Sequence, residues 1–255
     1  MFNSKVHIVT VVNDFYVYNE TIKDNQYMKD CELIVRDNTQ EDISIAQRYN
    51  DFLENHLHEI SPHDWLVFCD QGFCFLEDFK DVLKTLAPNA VYGIMGARAK
   101  RKFSWRKFKF VNEIVKIGGV TQDLESHVPH KRRKAGKVSQ VDTLDGCCLI
   151  VNAELLQDFH LGFSEKLPFY FFVEEFCLAA YYKYKIKSYV LPLDAYYVAP
   201  TEFPPEYYES RDYLKAEYQL KDFASYATVD MHPTRYSLDN MVETVIETVT
   251  SVTRH

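Results

Sequence analysis

A mixed α/β fold, with a mostly parallel sheet and helices on both faces, is what this sequence predicts. Three observations point there: short runs rich in Val and Ile, helical apolar spacing between those runs, and acidic or amide residues where the runs end. Residues 5–13 (KVHIVTVVN) form the first strand. Residues 31–36 (CELIVR) form the second, closed by the turn-prone Asp37-Asn38-Thr39. Residues 14–30 leave room for a crossover helix between them. Residues 42–58 then place Ile43, Ala46, Tyr49, Phe52, Leu53 and Leu57 on one helical face, with acidic residues near the start. A third strand, residues 65–69 (WLVFC), ends at Asp70. Residues 76–86 have helical spacing, and residues 91–95 (VYGIM) give a fourth strand.

Strand–helix alternation of this kind implies parallel strands joined by crossovers. Ligands then gather at the carboxyl ends of strands, near a switch in strand order. Asn13, Asp37 and Asp70 all lie at such ends. Further on, residues 141–152 (VDTLDGCCLIVN) give a turn at Asp145-Gly146 and another strand. Residues 168–182 contain a buried helix, and residues 186–192 a further strand. The remainder is aromatic, acidic and partly helical, with Ser237-Leu238-Asp239 suited to cap a last helix running to about residue 250. Residues 1–200 are therefore expected to form one domain, with residues 201–255 as an extension packed on it.

Composition narrows the class. At 47% hydrophobic and 26% charged the chain is near globular averages, which excludes collagen-like, low-complexity and disordered readings. Its apolar runs are far shorter than the roughly 20 residues of a membrane helix. The first residues lead straight into a strand-like run without a signal-peptide core, so a soluble, cytoplasmic protein is expected. Six cysteines at 31, 69, 74, 147, 148 and 177 show no metal-finger spacing, and are expected to be reduced packing residues. A net charge of −8 argues against nucleic acid as a partner. Between residues 98 and 137, however, 13 Lys/Arg face 3 Asp/Glu, a local +10 that leaves −18 elsewhere. This stretch is expected to be either a solvated, partly mobile insertion or a basic flap for phosphates or an anionic membrane surface.

Two placements carry chemistry. Asp70 follows an apolar strand directly and should project into the crevice at the sheet's edge. Glu174 and Glu175 stand within a run of Phe, Tyr, Leu and Ala, where adjacent carboxylates are costly unless paired, hydrogen-bonded or metal-bound. Helical neighbours point about 100° apart. One can face a crevice while the other pins a partner group, or both can simply favour a helix N-terminus.

In order and spacing these segments resemble the nucleotide-sugar glycosyltransferases of the GT-A fold, glycosyltransferase family 2 in particular. VHIVTVVN is similar to that family's first strand, and LIVRDNTQEDISIAQRYNDFL to its second strand, diphosphate-sugar loop and helix. WLVFCDQGF falls where the family has a strand and Asp-x-Asp. VDTLDGCCLIVN resembles its glycine loop, and FYFFVEEFCLAAYYKYKIKSYVLP its Glu-Asp helix, strand and proline. The resemblance implies a UDP-type nucleotide-sugar donor and a glycan, lipid-linked or protein acceptor. It implies that Asp37 bonds the nucleobase, that Thr10 and Val12 line the uridine pocket, and that Asn13 and Arg48 lie near ribose or diphosphate. Asp70 would contact ribose or a Mn²⁺ or Mg²⁺ ion, with His232 as a second metal ligand. Gly146 would let backbone approach the sugar, and Glu175, beside Glu174, would be the catalytic base.

The sequence departs from the family at two points. Asp-x-Asp has become Asp70-Gln71-Gly72, and Glu-Asp has become Glu174-Glu175. Loss of the second aspartate leaves three readings: Asp70 and His232 suffice for a metal, the basic residues Arg98, Lys100 or Arg101 neutralise the leaving group, or the fold binds nucleotide with little or no turnover. Nucleotidyl transfer to a sugar phosphate is disfavoured, because Asn13-Asp14-Phe15-Tyr16 offers no glycine loop after the first strand.

Overall fold

Val, Ile and Thr dominate residues 6–12, where the first strand forms, and side-chain oxygens of Asp14, Ser44 and Asn152 each mark the start of a helix. The computed structural model describes residues 4–41, 43–104, 109–121, 134–198 and 204–218. Along the first half, β1 (Val6–Val12), α1 (Phe15–Tyr18) and a π-helical turn (Asn19–Lys23) precede β2 (Glu32–Asp37), α2 (Ile45–His56) and a 3-10 turn (Leu57–Glu59). Then come β3 (Trp65–Cys69), β4 (Phe73–Phe75), α3 (Lys80–Leu83), β5 (Val91–Gly93), β6 (Met95–Ser104) and β7 (Lys109–Gly118). The second half supplies β8 (Ser139–Val141), β9 (Thr143–Leu144), β10 (Cys148–Asn152), α4 (Ala153–Phe159) and α5 (Phe172–Tyr184). It closes with β11 (Ser188–Val190), β12 (Ala195–Tyr197) and α6 (Pro205–Glu217).

Ser44 begins α2 by accepting from the Gln47 N–H at 3.1 Å, and Asn152 begins α4 by accepting from the Glu154 N–H at 3.1 Å. His160 and Lys185 end α4 and α5 in the left-handed conformation.

Seven strands form the central sheet in the order β2-β1-β3-β10-β5-β11-β8. β2, β1, β3, β5 and β11 run parallel to one another, and β10 and β8 run against them. The predicted α/β sheet is therefore present, with one antiparallel strand inserted near its middle. Its two faces are covered unequally. Val9, Val11, Leu66, Phe68, Leu149 and Val151 pack against α2, α4, α5 and α6. On the other face, Ile8, Val12, Val67 and Ile150 meet the π-helical turn, the short α3 and the paired β4 and β12. Here the expected helix over residues 76–86 is reduced to a single turn. The reason is tertiary: residues 73–75 pair with β12, and Leu76 N–H donates to the Asp194 carbonyl at 2.9 Å.

The basic stretch carries regular structure that the sequence reading did not assign. It overlaps an antiparallel hairpin of two ten-residue strands, β6 against β7, held to the rest by β9. α6 docks through Tyr207 and Leu214, both buried in the main core. The predicted final helix near residues 237–250 lies outside the described residues. All six cysteines are free thiols, five of them buried. Among the described residues no helix is long and apolar enough to cross a membrane.

Gly118 ends β7 at the base of the hairpin, opposite Met95, with φ +79°, and a Cβ there would run into the Ile94 carbonyl and within 2.8 Å of Val190. Gly118→Ala should cost about 2–4 kcal/mol, a fall in Tm of roughly 5–15 °C. Gly136→Ala is the control, since a Cβ there meets nothing within 4 Å. Equal Tm values for the two variants would contradict this account of the hairpin's base.

Candidate active site

The inserted strand β10 builds the site. Its register places Cys148 opposite Cys69, so the turn before β10 abuts the residue after β3. Asp70 N–H donates to the Cys147 carbonyl at 3.1 Å. Asp70 and Asp145 thereby come side by side at the carboxyl edge of the sheet. Asp70 Oδ1 accepts from Gly72 N–H at 2.7 Å, and Asp145 Oδ1 from Cys147 N–H at 3.0 Å. Both residues keep some solvent contact, yet protein crowds their carboxyls. Desolvation raises both pKa values above the usual range, and the Asp145 charge raises Asp70 further. Lys116, from β7 of the basic hairpin, pulls Asp145 back in part. Tyr197 completes the cluster: burial first, then Asp70 and Asp145, push its hydroxyl pKa upward.

Beside this pair lie the loops after β1 and β2. Gln71, next to Asp70 in the chain, accepts from Asn13 N–H at 2.8 Å and Asp14 N–H at 2.9 Å through one oxygen. Its carbonyl takes the Thr21 hydroxyl. Asn38 is a buried hub. It donates to Asn13 Oδ1 at 2.9 Å and the Ile43 carbonyl at 3.0 Å, while its own N–H donates to the Val12 carbonyl at 2.8 Å. Arg48, 14% exposed, donates to Asn38 Oδ1 at 3.1 Å and pairs with Glu41, so it braces the loop that follows β2. Asp37 stays exposed at the end of β2. Hydrogen bonds from Thr39 N–H and Oγ hold its pKa low, which keeps a charged acceptor at this edge.

Several expected residues take other positions. Thr10 and Val12 turn their side chains into the core, 1% and 0% exposed, so no side chain of theirs lines a pocket. They alternate with Val9 and Val11 on the opposite face, a consequence of the two-residue period of β1. Gly146 is not sterically required by the protein: a Cβ there meets nothing within 4 Å. Gly72 has less room than Gly146, with an added Cβ 3.3 Å from both Asp70 Oδ1 and Val198 Cβ. Arg98 lies near Asp142, whose pKa burial raises and the Arg98 charge lowers in part. His232 and Arg101 fall where no side chain is described. Among the described residues no cluster of three His, Cys, Asp or Glu could hold a metal.

The glutamates of α5 separate as neighbours on a helix must. Glu174 is 3% exposed; burial raises the hydroxyl pKa of Tyr207 on α6, and the charges of Glu174 and Asp145 raise it further. Glu175 is half-buried and accepts from the Tyr218 hydroxyl at 2.7 Å. Burial raises its pKa, and the Tyr218 bond and Lys183 lower it in part. Phe171, just ahead of the helix, holds φ +63° and packs on Tyr207 with ring centroids 4.7 Å apart. Asp145, Asn38, Gln71 and Tyr197 escaped the sequence reading. Of these Asp145 had a local sign, an acid beside the one glycine of a turn leading into an apolar strand.

No family model and no curated protein sequence matches this chain. Solved structures do. S. aureus TarS 1-349 matches with 15% identity and TM-score 0.49 over 84% of this chain and 65% of that one. GalNAc-T7 with UDP, GalNAc and Mn²⁺ matches with 10% identity and TM-score 0.46 over 83% of this chain and 48% of that one. HddC from Yersinia pseudotuberculosis matches with 14% identity and TM-score 0.33 over 84% and 80%. This chain thus spans less than two thirds of the first two. At such identity and overlap the site's own residues carry the functional reading.

Asp142 gives a pH signature to this edge. It accepts from Ala99 N–H at 2.7 Å, but burial lifts its pKa to about 6. A carboxyl raised by folding favours the folded state while protonated, and that contribution is lost as pH climbs through the raised value. Asp142→Asn should therefore gain stability relative to the parent from pH about 4 to about 7, measured by urea denaturation. A constant difference across that range would contradict the assignment.

Proposed function

We propose that this chain is a GT-A-type glycosyltransferase, moving a sugar from a UDP-linked donor to an acceptor hydroxyl on a glycan, a lipid-linked sugar or a protein. The supporting observation is the Asp70–Asp145 pair at the carboxyl edge, flanked by Asn13 and Asp37, with a glutamate of raised pKa on α5. Asp37, exposed and held anionic, accepts from the nucleobase. Asn13, fixed by Gln71 and Asn38, borders the ribose. Glu175 takes the acceptor's proton as its oxygen attacks the anomeric carbon, and direct displacement inverts that centre. The transition state is oxocarbenium-like, as in glycoside hydrolysis. Glu174, sealed in the helix's inner face, is a positioning residue.

Mn²⁺ or Mg²⁺ fits the two carboxylates of Asp70 and Asp145. Hard cations take oxygen ligands, and small ones are commonly held by one or two carboxylates plus substrate phosphates. When bound, such an ion supplies charge neutralisation for the departing nucleoside diphosphate. Lys116 adds fixed positive charge on the same side. His232 remains a ligand by resemblance alone.

A thermal-shift panel of UDP, GDP, CDP and dTDP, each with Mn²⁺, Mg²⁺ or EDTA, tests the donor. UDP with Mn²⁺ or Mg²⁺ should stabilise by about 2.7 kcal/mol at a hundred times its Kd, and Asp145→Asn should abolish the metal-dependent part. No shift with any nucleotide overturns the reading. Donor hydrolysis without acceptor tests turnover: Glu175→Gln should lose it while keeping donor affinity. Binding with no hydrolysis by the parent protein would instead identify a nucleotide-binding module. That outcome is the one the missing second aspartate favours.

Tyr218 offers a finer test. Its hydroxyl stabilises ionised Glu175, so Tyr218→Phe raises the glutamate's pKa. A base must be ionised, and the acid limb of the pH–rate profile should therefore move to higher pH in the variant. An unmoved limb would exclude Glu175 as the base.

A further inference from the structure

Among the described residues few large apolar side chains stay exposed, and two of them are rings on segments that border the crevice. Phe169, 38% exposed, lies in the loop that leads into α5, two residues before Phe171. Tyr208, 47% exposed, is on the first turn of α6. Neither ring has a part in the chemistry described above.

The two segments are packed together. Tyr207, buried on α6, has its ring centroid 5.4 Å from that of Tyr170 and 4.7 Å from that of Phe171. Further along the helix, Lys166 Nζ lies 5.6 Å from the centroid of Tyr213. Tyr207 also joins this patch to the reaction edge: burial raises its hydroxyl pKa, and the charges of Glu174 and Asp145 add to that. Tyr208 is exposed yet braced. Its ring meets Tyr207 edge-on at 5.4 Å, and the Arg211 guanidinium, one turn on, lies 5.3 Å from its centroid. Arg211 is fixed in its turn by donating through Nε and Nη2 to Asp212 Oδ1, at 3.0 Å each. A ring held in place while exposed offers contact area at little ordering cost.

Charge selects what can lie on these rings. On the same two segments Glu165, Glu206, Glu209 and Asp212 stand against Lys166 and Arg211, all reaching solvent. A phosphate, a carboxylate or an anionic bilayer meets net negative charge there. Two rings also fall far short of the roughly 800 Å² that each side of a stable protein interface buries. A neutral sugar ring fits both limits. One of its faces is a patch of C–H groups that stacks on an aromatic ring, and its rim is hydroxyls that donate to carboxylates. We infer that Phe169 and Tyr208 are the acceptor platform, and that the acceptor is an uncharged saccharide stacked on them. The inference rests on the transferase reading and narrows the acceptor classes left open there; Glu175 stands on the helix into which Phe169 leads.

The test is an NMR titration of the isotope-labelled full chain, with UDP and Mn²⁺ present. The probes are the methyl β-glycosides of glucose, galactose, N-acetylglucosamine and N-acetylgalactosamine, then methyl β-glucuronide, and a Ser/Thr peptide without sugar. At least one neutral glycoside should give saturable shifts at residues 168–171 and 205–211. Tyr208→Ala and Phe169→Ala should each weaken it about tenfold, or 1.4 kcal/mol, with no change in Tm. Tyr208→Phe, which keeps the ring, should bind as the parent does. So should Tyr184→Ala, which removes an exposed ring at the far end of α5. UDP shifts at Asn13 and Asp37 report the donor in the same spectra, so a failure of the transferase reading is told apart from a failure of this inference. Three results overturn the inference: no saturable shift with any of the neutral glycosides at about 100 mM, whether or not UDP binds; an affinity indifferent to both ring deletions; or tighter binding of the glucuronide or the peptide.

Discussion

The antiparallel insertion of β10 between β3 and β5 is the constraint on which the rest of the site depends. A purely parallel sheet would bring only the carboxyl ends of its strands to this edge. Because β10 runs the other way, its amino-terminal turn reaches the same edge, and the Asp70 N–H to Cys147 carbonyl bond locks the two segments together. Cys148 opposite Cys69 leaves little freedom in register, since a slip by one residue would turn the buried Leu149 and Ile150 to the wrong faces. Two chain segments more than seventy positions apart thus hold their carboxylates together through backbone geometry.

That arrangement opposes the usual economy of a protein interior. Burying two carboxylates side by side disfavours the charged form of both, and their backbone hydrogen bonds offset the penalty only in part. Phe171 adds a further strain, a bulky residue in the left-handed region at a cost of order 1–3 kcal/mol. The surrounding aromatic packing offsets it: Phe163 contacts Tyr49, Phe68, Phe172 and Phe176, and Tyr207 closes on Phe171. The unfavourable features collect at the crevice, and the dense apolar contacts lie directly beneath it.

Six of the seven strands of the central sheet were legible in the sequence because their apolar runs are dictated locally; the edge strand β8, with the run Ser139-Gln140-Val141, was not. The ends where Asn13, Asp37 and Asp70 stand were legible too. Other features depend on partners distant in the chain. β4 exists because β12 pairs with it, which is why helical spacing over residues 76–86 misled. The β6–β7 hairpin was hidden because abundant Lys and Arg mask its alternation, and its base is held by Gly118 and by β9. Asp145 was passed over for Gly146 because nothing local shows that β10 will lie against β3. Glu174 and Glu175 could be expected to diverge, but which one meets Tyr218 follows only from the docking of α6.

Gly72 limits what this edge can accept. A Cβ there would lie 3.3 Å from both Asp70 Oδ1 and Val198 Cβ, so a side chain at 72 asks the exposed Val198 or the Asp70 carboxylate to give way by a few tenths of an ångström. An aspartate at 72 would also bring a third carboxylate to a place where two are already disfavoured. Acidity at this edge is therefore held down from two directions, by space at 72 and by the charges already present at 70 and 145.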